Sequence, residues 1–319
     1  MTPIRYLMDH VDEKFKCINK TGVTPALCVC EDIGIPLSDS FTLKVNITSN
    51  EIFLSETFLN YLWAFTFFSF VYQEKSNEYL LGNPTAICLP MDSELLKQAL
   101  RLKSFCKDIV YHGFTAWPKD TIFPHFHGEP SDEIEYFEVR TNGLFSTAIA
   151  FLLMHEVGHI VLKHMPICDK KTDIEKKIKY EAYKPSDGDL EPIISAESDA
   201  DNFAFDVLLK LTDSDDIKLN NSYGVASACV ASLFCIKTLW GVKSKFHQAS
   251  HNRLLHSIQK INLLGVKEKK YFAHYASQSL MLFLDQNGKY LTNYDAGQDE
   301  YGFLLDTMDQ VDNAIGHFA

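Results

Sequence analysis

The stretch FSTAIAFLLMHEVGHIVL, Phe145 to Leu162, carries the pentapeptide His155-Glu156-Val157-Gly158-His159. The run is largely apolar, holds one glycine and no proline, and reads as a buried helix. Residues four apart lie on one face of a helix, so His155 and His159 point the same way and can hold one metal ion between them. Glu156, next to the first histidine, can reach a water at that ion. Two imidazoles and a carboxylate at this spacing point to metal-assisted hydrolysis with Glu156 as general base. Without partners, burying these three groups would cost several kcal/mol. Gly158, beside a ligand, is expected to leave room around the metal.

A tetrahedral catalytic zinc takes three protein ligands and keeps one position open. The segment Ile194–Ala204, ISAESDADNFA, offers the third. Pro192 and Ser195 read as helix-start signals. Glu197 and Asp201 then share a face, and Ala196, Ala200 and Ala204 form a small-residue stripe that would let this helix pack closely on the first. Glu197 is the expected ligand. Asp201 is expected to accept a hydrogen bond from the outer nitrogen of a ligating histidine. Asp199 is the competitor, but it lies about 200° around the helix from Glu197. His164 lies about a quarter-turn off the ligand face by the same arithmetic, and reads as a helix-end residue.

Together HEVGH and the Glu197/Asp201 helix resemble the gluzincin class of zinc metallopeptidases. His247 and Arg253 stand six apart, as in the His-Pro-x-x-x-x-Arg segment of several such families, although Gln248 replaces the proline. The resemblance implies that His247 or Arg253 sits near the substrate carbonyl, with His251 a rival. Within the class, HEVGHIVLKH followed by ESDADNFA looks most like the phage-exclusion peptidases typified by Lit, and next the ImmA/IrrE-like metallopeptidases. The resemblance spans Asn142 to His256. It implies an α+β fold with a zincin-like core, in which the HExxH helix packs on a second ligand-bearing helix and a small sheet. It also implies a Zn2+ cofactor, a protein or peptide substrate, and a regulated enzyme with a role in anti-phage defence that a phage or cellular partner could activate. A non-enzymatic zinc-binding regulatory protein on the same fold is the alternative; an intact Glu156 argues against it.

Composition narrows the setting. The chain has 319 residues, 46% hydrophobic, with a formal charge of −12. That balance argues against nonspecific nucleic-acid binding, which relies on basic surface. The eight cysteines are scattered without zinc-ribbon spacing, so reduced thiols in a cytoplasmic protein are expected. Met1–Asn19 is polar and charged, and no secretory leader is expected there. Tyr61–Tyr72 is too short to span a bilayer. Tyr223–Val242 is long enough, but its serines and Lys237 suit a core helix ended by Gly241. No membrane partner is expected.

Three parts are expected: an N-terminal α/β region (1–130), the metallopeptidase core (131–260) and a C-terminal helical region packed on it (261–319). Phe41, Leu43, Val45 and Ile47 alternate as in a strand. Ser55–Tyr72, Asp92–Lys107 and Tyr271–Leu284 read as helices. Ile109–Trp117 and Ile134–Thr141 read as short strands, the latter a candidate edge for pairing with substrate. His125 and His127 lie in the loop between them and are left out of the site. Met165–Glu191, rich in Lys and Asp, reads as a long loop that could cover the cleft.

Overall fold

Strand β3 (Glu51–Ser55) runs directly into helix α2 (Glu56–Gly82), and Asp32 holds the junction. Its carboxylate accepts from the Ser55 hydroxyl and, at 2.9 Å, from the Thr57 amide, while its carbonyl accepts from the Thr57 hydroxyl at 3.1 Å. These bonds meet the exposed amides that open any helix. Asp32 follows β1 (Ala26–Cys30), which pairs parallel with β3; β2 (Leu43–Asn46) pairs antiparallel on the other side, giving the order β1-β3-β2.

The remaining elements are helices: α1 (Met8–Ile18), α3 (Glu94–His112), α4 (Glu133–Val161), α5 (Met165–Glu181), α6 (Asp187–Lys210), α7 (Asp215–Phe234), α8 (Ser250–Leu263), α9 (Lys269–Gln286) and α10 (Glu300–Gly316). The structure is a computed structural model and describes residues 4, 7–32, 34–37, 43–46, 48–82, 93–114, 116–125, 130–181, 183–210, 214–234, 250–263, 269–286 and 300–316. The fold is α+β and, among the described residues, mostly helical with one small sheet. α4 runs through the middle, packed on α1, α2, α6 and α7. One cluster of buried side chains, from Ile4 to Val311, draws on all three sequence segments. α4 alone among the described helices is long and apolar enough to cross a membrane, and 72% of its most apolar window is buried inside the fold.

Several sequence expectations are corrected. Ile134–Thr141 is not a strand but the first two turns of α4. Asp132 caps that helix by accepting from the Glu135 amide at 2.9 Å, and Glu135 reaches back to the Ser131 amide at 2.7 Å. The buried positions Phe137, Glu138, Thr141, Asn142 and Phe145 then follow a helical period. Ile109–Trp117 is likewise no strand: Ile109–His112 closes α3, whose buried residues recur every three or four positions up to Val110. The helix stops at Gly113 (φ +81°), where a Cβ would lie 2.6 Å from the Gly34 backbone.

Most of the expected long loop is α5. Its inward stripe, Ile167, Lys171, Ile174 and Ile178, has helical spacing but only one fully buried member, Ile174. α6 starts at Asp187, ahead of the expected signals at Pro192 and Ser195. Asp189 accepts from the Ser186 amide at 3.1 Å, and the Gly188 carbonyl, which Pro192 has no N–H to bond, faces Lys170 Nζ at 3.5 Å. The end expected for α7 at Gly241 lies outside the described residues.

Candidate metal centre

The site lies where α4 crosses α6. A Cβ on Gly158 would stand 3.2 Å from Ala200 Cα and 3.2 Å from the Phe203 ring. The glycine thus admits the α6 backbone instead of clearing space around an ion. On each helix a small residue sits beside the second of two polar residues four apart: His155 and His159 around Gly158, Glu197 and Asp201 around Ala200. The crossing brings three of these four together. His155, His159 and Glu197, all buried, offer atoms within 4.8 Å of one another, a group that could hold a metal ion. Asp199 is exposed, away from this group.

Each of the three has a partner on its far side. His155 Nδ1 lies 2.7 Å from Asp201 Oδ1, which leaves Nε2 facing the other two. Arg253 Nη2 and Nε donate to the two oxygens of Asp201, both at 2.7 Å. His159 Nδ1 lies 3.1 Å from His164 Nδ1. Glu197 Oε1 accepts from Lys171 Nζ at 2.8 Å. Glu156 is half-buried, and among the described residues no hydrogen bond or ion pair to its carboxylate is found.

The charges follow from this packing. Burial by itself would lower the His155 pKa. The neighbouring Asp201 charge, with hydrogen bonds to Asp201 and Glu197, overrides it and raises the metal-free value to about 10. Burial disfavours an ionised Asp201, but Arg253 and His155 outweigh it and hold the carboxyl well below the usual range. The His164 imidazole is shifted down, by burial and by the adjacent His159. The Cys168 thiol is pushed up to about 11, by burial first and then by Glu197.

His247 or Arg253 was expected near the substrate carbonyl. Arg253 is half-buried behind Asp201, with two of its nitrogens committed there. His247 lies outside the described residues, as does the side chain of His251. His125 is engaged with Glu138 on α4, and His127 lies outside the described residues. The sequence reading gave no role to Lys171 or to the inward turn of His164. The arithmetic that set His164 aside assumed a helix continuing past Leu162. α4 ends at Val161, and Lys163 (φ +60°) reverses the chain.

The family described as Peptidase U49 matches residues 52–276, which hold every residue of the site. The chain is also similar to the "Cell death peptidase" of Escherichia coli (strain K12): 30% identity over 136 residues, 41% of this chain and 44% of that protein. The chain thus spans less than half the length of the curated relative it matches. No solved structure matches.

Proposed function

The chain belongs to the peptidase U49 family, and on that premise we propose that it is a zinc-dependent endopeptidase acting on a protein substrate. The observation that carries the reading is the spacing of the three donors. His155 Nε2 to Glu197 Oε2 is 3.1 Å, His155 Nε2 to His159 Nε2 is 3.2 Å, and His159 Nε2 to Glu197 Oε2 is 3.5 Å. A tetrahedron with the 2.0–2.1 Å arms of zinc has edges of about 3.3 Å. Three donors at such edges leave the fourth corner for water. Two nitrogens and one carboxylate oxygen also suit zinc as a donor set.

When bound, the ion would supply Lewis acidity toward a water molecule and toward the scissile carbonyl. The protein's part is set by its own groups. Asp201 and His164 engage Nδ1 of the two histidines and leave Nε2 free to ligate. Glu156, whose carboxylate is not committed elsewhere, takes a proton from the attacking water and delivers it to the departing amine. Stabilising the negative charge that develops on the carbonyl oxygen is assigned to His247 or its rival His251, as the family resemblance implies, since Arg253 is committed to Asp201. The architecture around the ion is read as zincin-like, on the strength of the two crossing ligand helices.

The biological setting belongs to the same proposal. The related protein is named for cell death, and the resemblance is to phage-exclusion peptidases. Both support a peptidase held inactive until a phage or cellular partner releases it. A cytoplasmic location is supported by the cysteines, which form no disulfide among the described residues. The test is metal content and lysate proteolysis of wild type, Glu197→Ala and Glu156→Gln. About one zinc per chain, reduced in Glu197→Ala, with cleavage products absent for Glu156→Gln, is the expected result. No zinc in the wild type after zinc is supplied would overturn the reading.

A further inference from the structure

The three candidate ligands are braced from two sources. Asp201 braces His155 from α6, the helix that also carries Glu197. The partners of the other two come from one short segment, His164 to Lys171, which is the turn after α4 and the start of α5. How the chain reaches His159 again is legible in its backbone. His164 N donates to His159 O at 2.9 Å, Lys163 N to Ile160 O at 3.2 Å, and Lys163 sits at φ +60°. These are the bonds of a Schellman helix end, with Lys163 where a glycine is usual. In that motif the residue after the left-handed position often packs on the one five places before it. Here that contact is His164 on His159, and it is polar: Nδ1 to Nδ1 at 3.1 Å, both rings buried.

One proton lies between two ring nitrogens, so one ring must donate and the other accept. His159 ligates through Nε2 only if its own proton is on Nδ1. His164 Nδ1 is then the acceptor, as a neutral ring. Two turns into α5, Lys171 Nζ holds Glu197 Oε1 at 2.8 Å and turns Oε2 toward the histidines. α5 packs mainly on α6, and among its described side chains only Ile174 is fully buried.

We propose that His164 and Lys171 are positioning residues, a brace that orients His159 and Glu197 toward the metal and ties metal affinity to the docking of α5. This rests on the zinc reading above. Partners of this kind are worth about 10–100-fold in metal affinity. For Lys171 the ammonium charge acts against a cation while its hydrogen bond acts for it, so two substitutions separate them: Lys171→Met removes both, and Lys171→Gln keeps an N–H donor without the charge.

The experiment is chelator-competition measurement of zinc affinity on the full chain, with thermal unfolding of each metal-free variant alongside. His164→Ala and Lys171→Met are expected to bind zinc about 10–100-fold more weakly. His164→Asn, which places an acceptor oxygen near the lost nitrogen, and Lys171→Gln should recover most of the loss. Ile174→Ala, which touches no ligand, should also weaken zinc binding by loosening α5. Wild-type affinity in both His164→Ala and Lys171→Met would overturn the brace. So would losses that follow metal-free unfolding temperature and are not recovered by His164→Asn or Lys171→Gln. A wild type that takes up no zinc would fail at the earlier step, removing the metal reading and this inference with it.

Discussion

Helices α2 and α4 are nearly equal in length, lie side by side and are both deeply buried, yet they handle polar side chains in opposite ways. Much of α2 is filled by rings: Phe58, Tyr61, Trp63, Phe67 and Phe68 are almost wholly buried, with Trp63 stacked on Phe67 at 5.4 Å. Several of its buried polar residues turn back on their own helix, while Tyr61 donates to the Ala231 carbonyl on α7 at 2.8 Å and Asn77 Oδ1 meets His274 on α9 at 3.0 Å. Asn60 donates to the Glu56 carbonyl, Thr66 to Leu62 and Ser76 to Tyr72. α4 begins in the same manner, with Ser146 on Asn142 and Thr147 on Gly143, and adds neutral cross-ties at Asn142, whose Oδ1 accepts from Trp63 Nε1 and whose Nδ2 donates to the His125 carbonyl, both at 2.8 Å. At its other end the habit changes. His155 and His159 find partners on α6, at His164 and, through Asp201, on α8. A buried hydroxyl that bonds its own helix is part of a core. Buried ionisable groups whose partners come from several elements make a site, because such an arrangement has to be held against a large desolvation cost.

The comparison can be broken by substitution, beginning with the largest effect. Glu156→Gln should lower peptide hydrolysis by about 100- to 10,000-fold while zinc uptake is retained, as measured by kinetics and metal content. If it stays active, the α4 end is not catalytic in the way proposed. Next, Arg253→Met strips the largely enclosed Asp201, whose side chain is 16% exposed, of its cation and should destabilise the metal-free protein by up to about 3–5 kcal/mol in urea unfolding. A loss below 1 kcal/mol, on the order of a surface pair, would mean that Asp201 is reached by water.

pH should separate the two ends further. The folded, metal-free His155 pKa is raised to about 10. Its contribution is therefore complete below the unfolded value near 6.5 and is lost as pH rises toward 10, at up to about 1.4 kcal/mol per unit. Asp201, held low, contributes above its unfolded value of 3.8 and loses that contribution as pH falls through its folded one. Urea titrations of metal-free protein at a series of pH values should show both limbs, and Asp201→Asn should flatten them. Smaller again is Gly224→Ala, whose new Cβ would stand 2.4 Å from Thr147 Cβ at the α4–α7 crossing. A cost of about 1–3 kcal/mol is expected, less about 1 for better helix propensity. Least of all, Thr66→Val in α2 should change stability by under about 1 kcal/mol, since its hydroxyl serves only its own helix.

The candidate metal group was legible because each of its two helices places polar residues four apart on one face. Asp201 was legible for the same reason, although Arg253 behind it was not: nothing local links residue 253 to residue 201. His164 was hidden by a left-handed turn at a lysine, where glycine would have announced it. Lys171 was hidden by composition, since an inward stripe of Ile167, Lys171, Ile174 and Ile178 within a lysine-rich segment resembles a solvated loop. β1 and β3 went unread because ALCVC and EIFLS are short apolar runs whose pairing is decided at long range. The two misread strands had the reverse fault: brief alternation was visible, while the capping at Ser131–Glu135 and the continuation of the α3 stripe to Val110 outweighed it.

The contact of Gly158 with Ala200 has a consequence for how this centre can vary. The helices cross beside the second member of each polar pair, so the separation of the axes bears on the reach of the donors together. Metal–ligand distances tolerate about 0.2 Å, whereas a methyl group added at Gly158 asks its neighbours for a few tenths of an ångström. A narrow tolerance therefore falls on two positions that offer the metal group no donor atoms. A search for inactive relatives of this protein would do well to look first at what stands in those two places, even where all three ligands are intact.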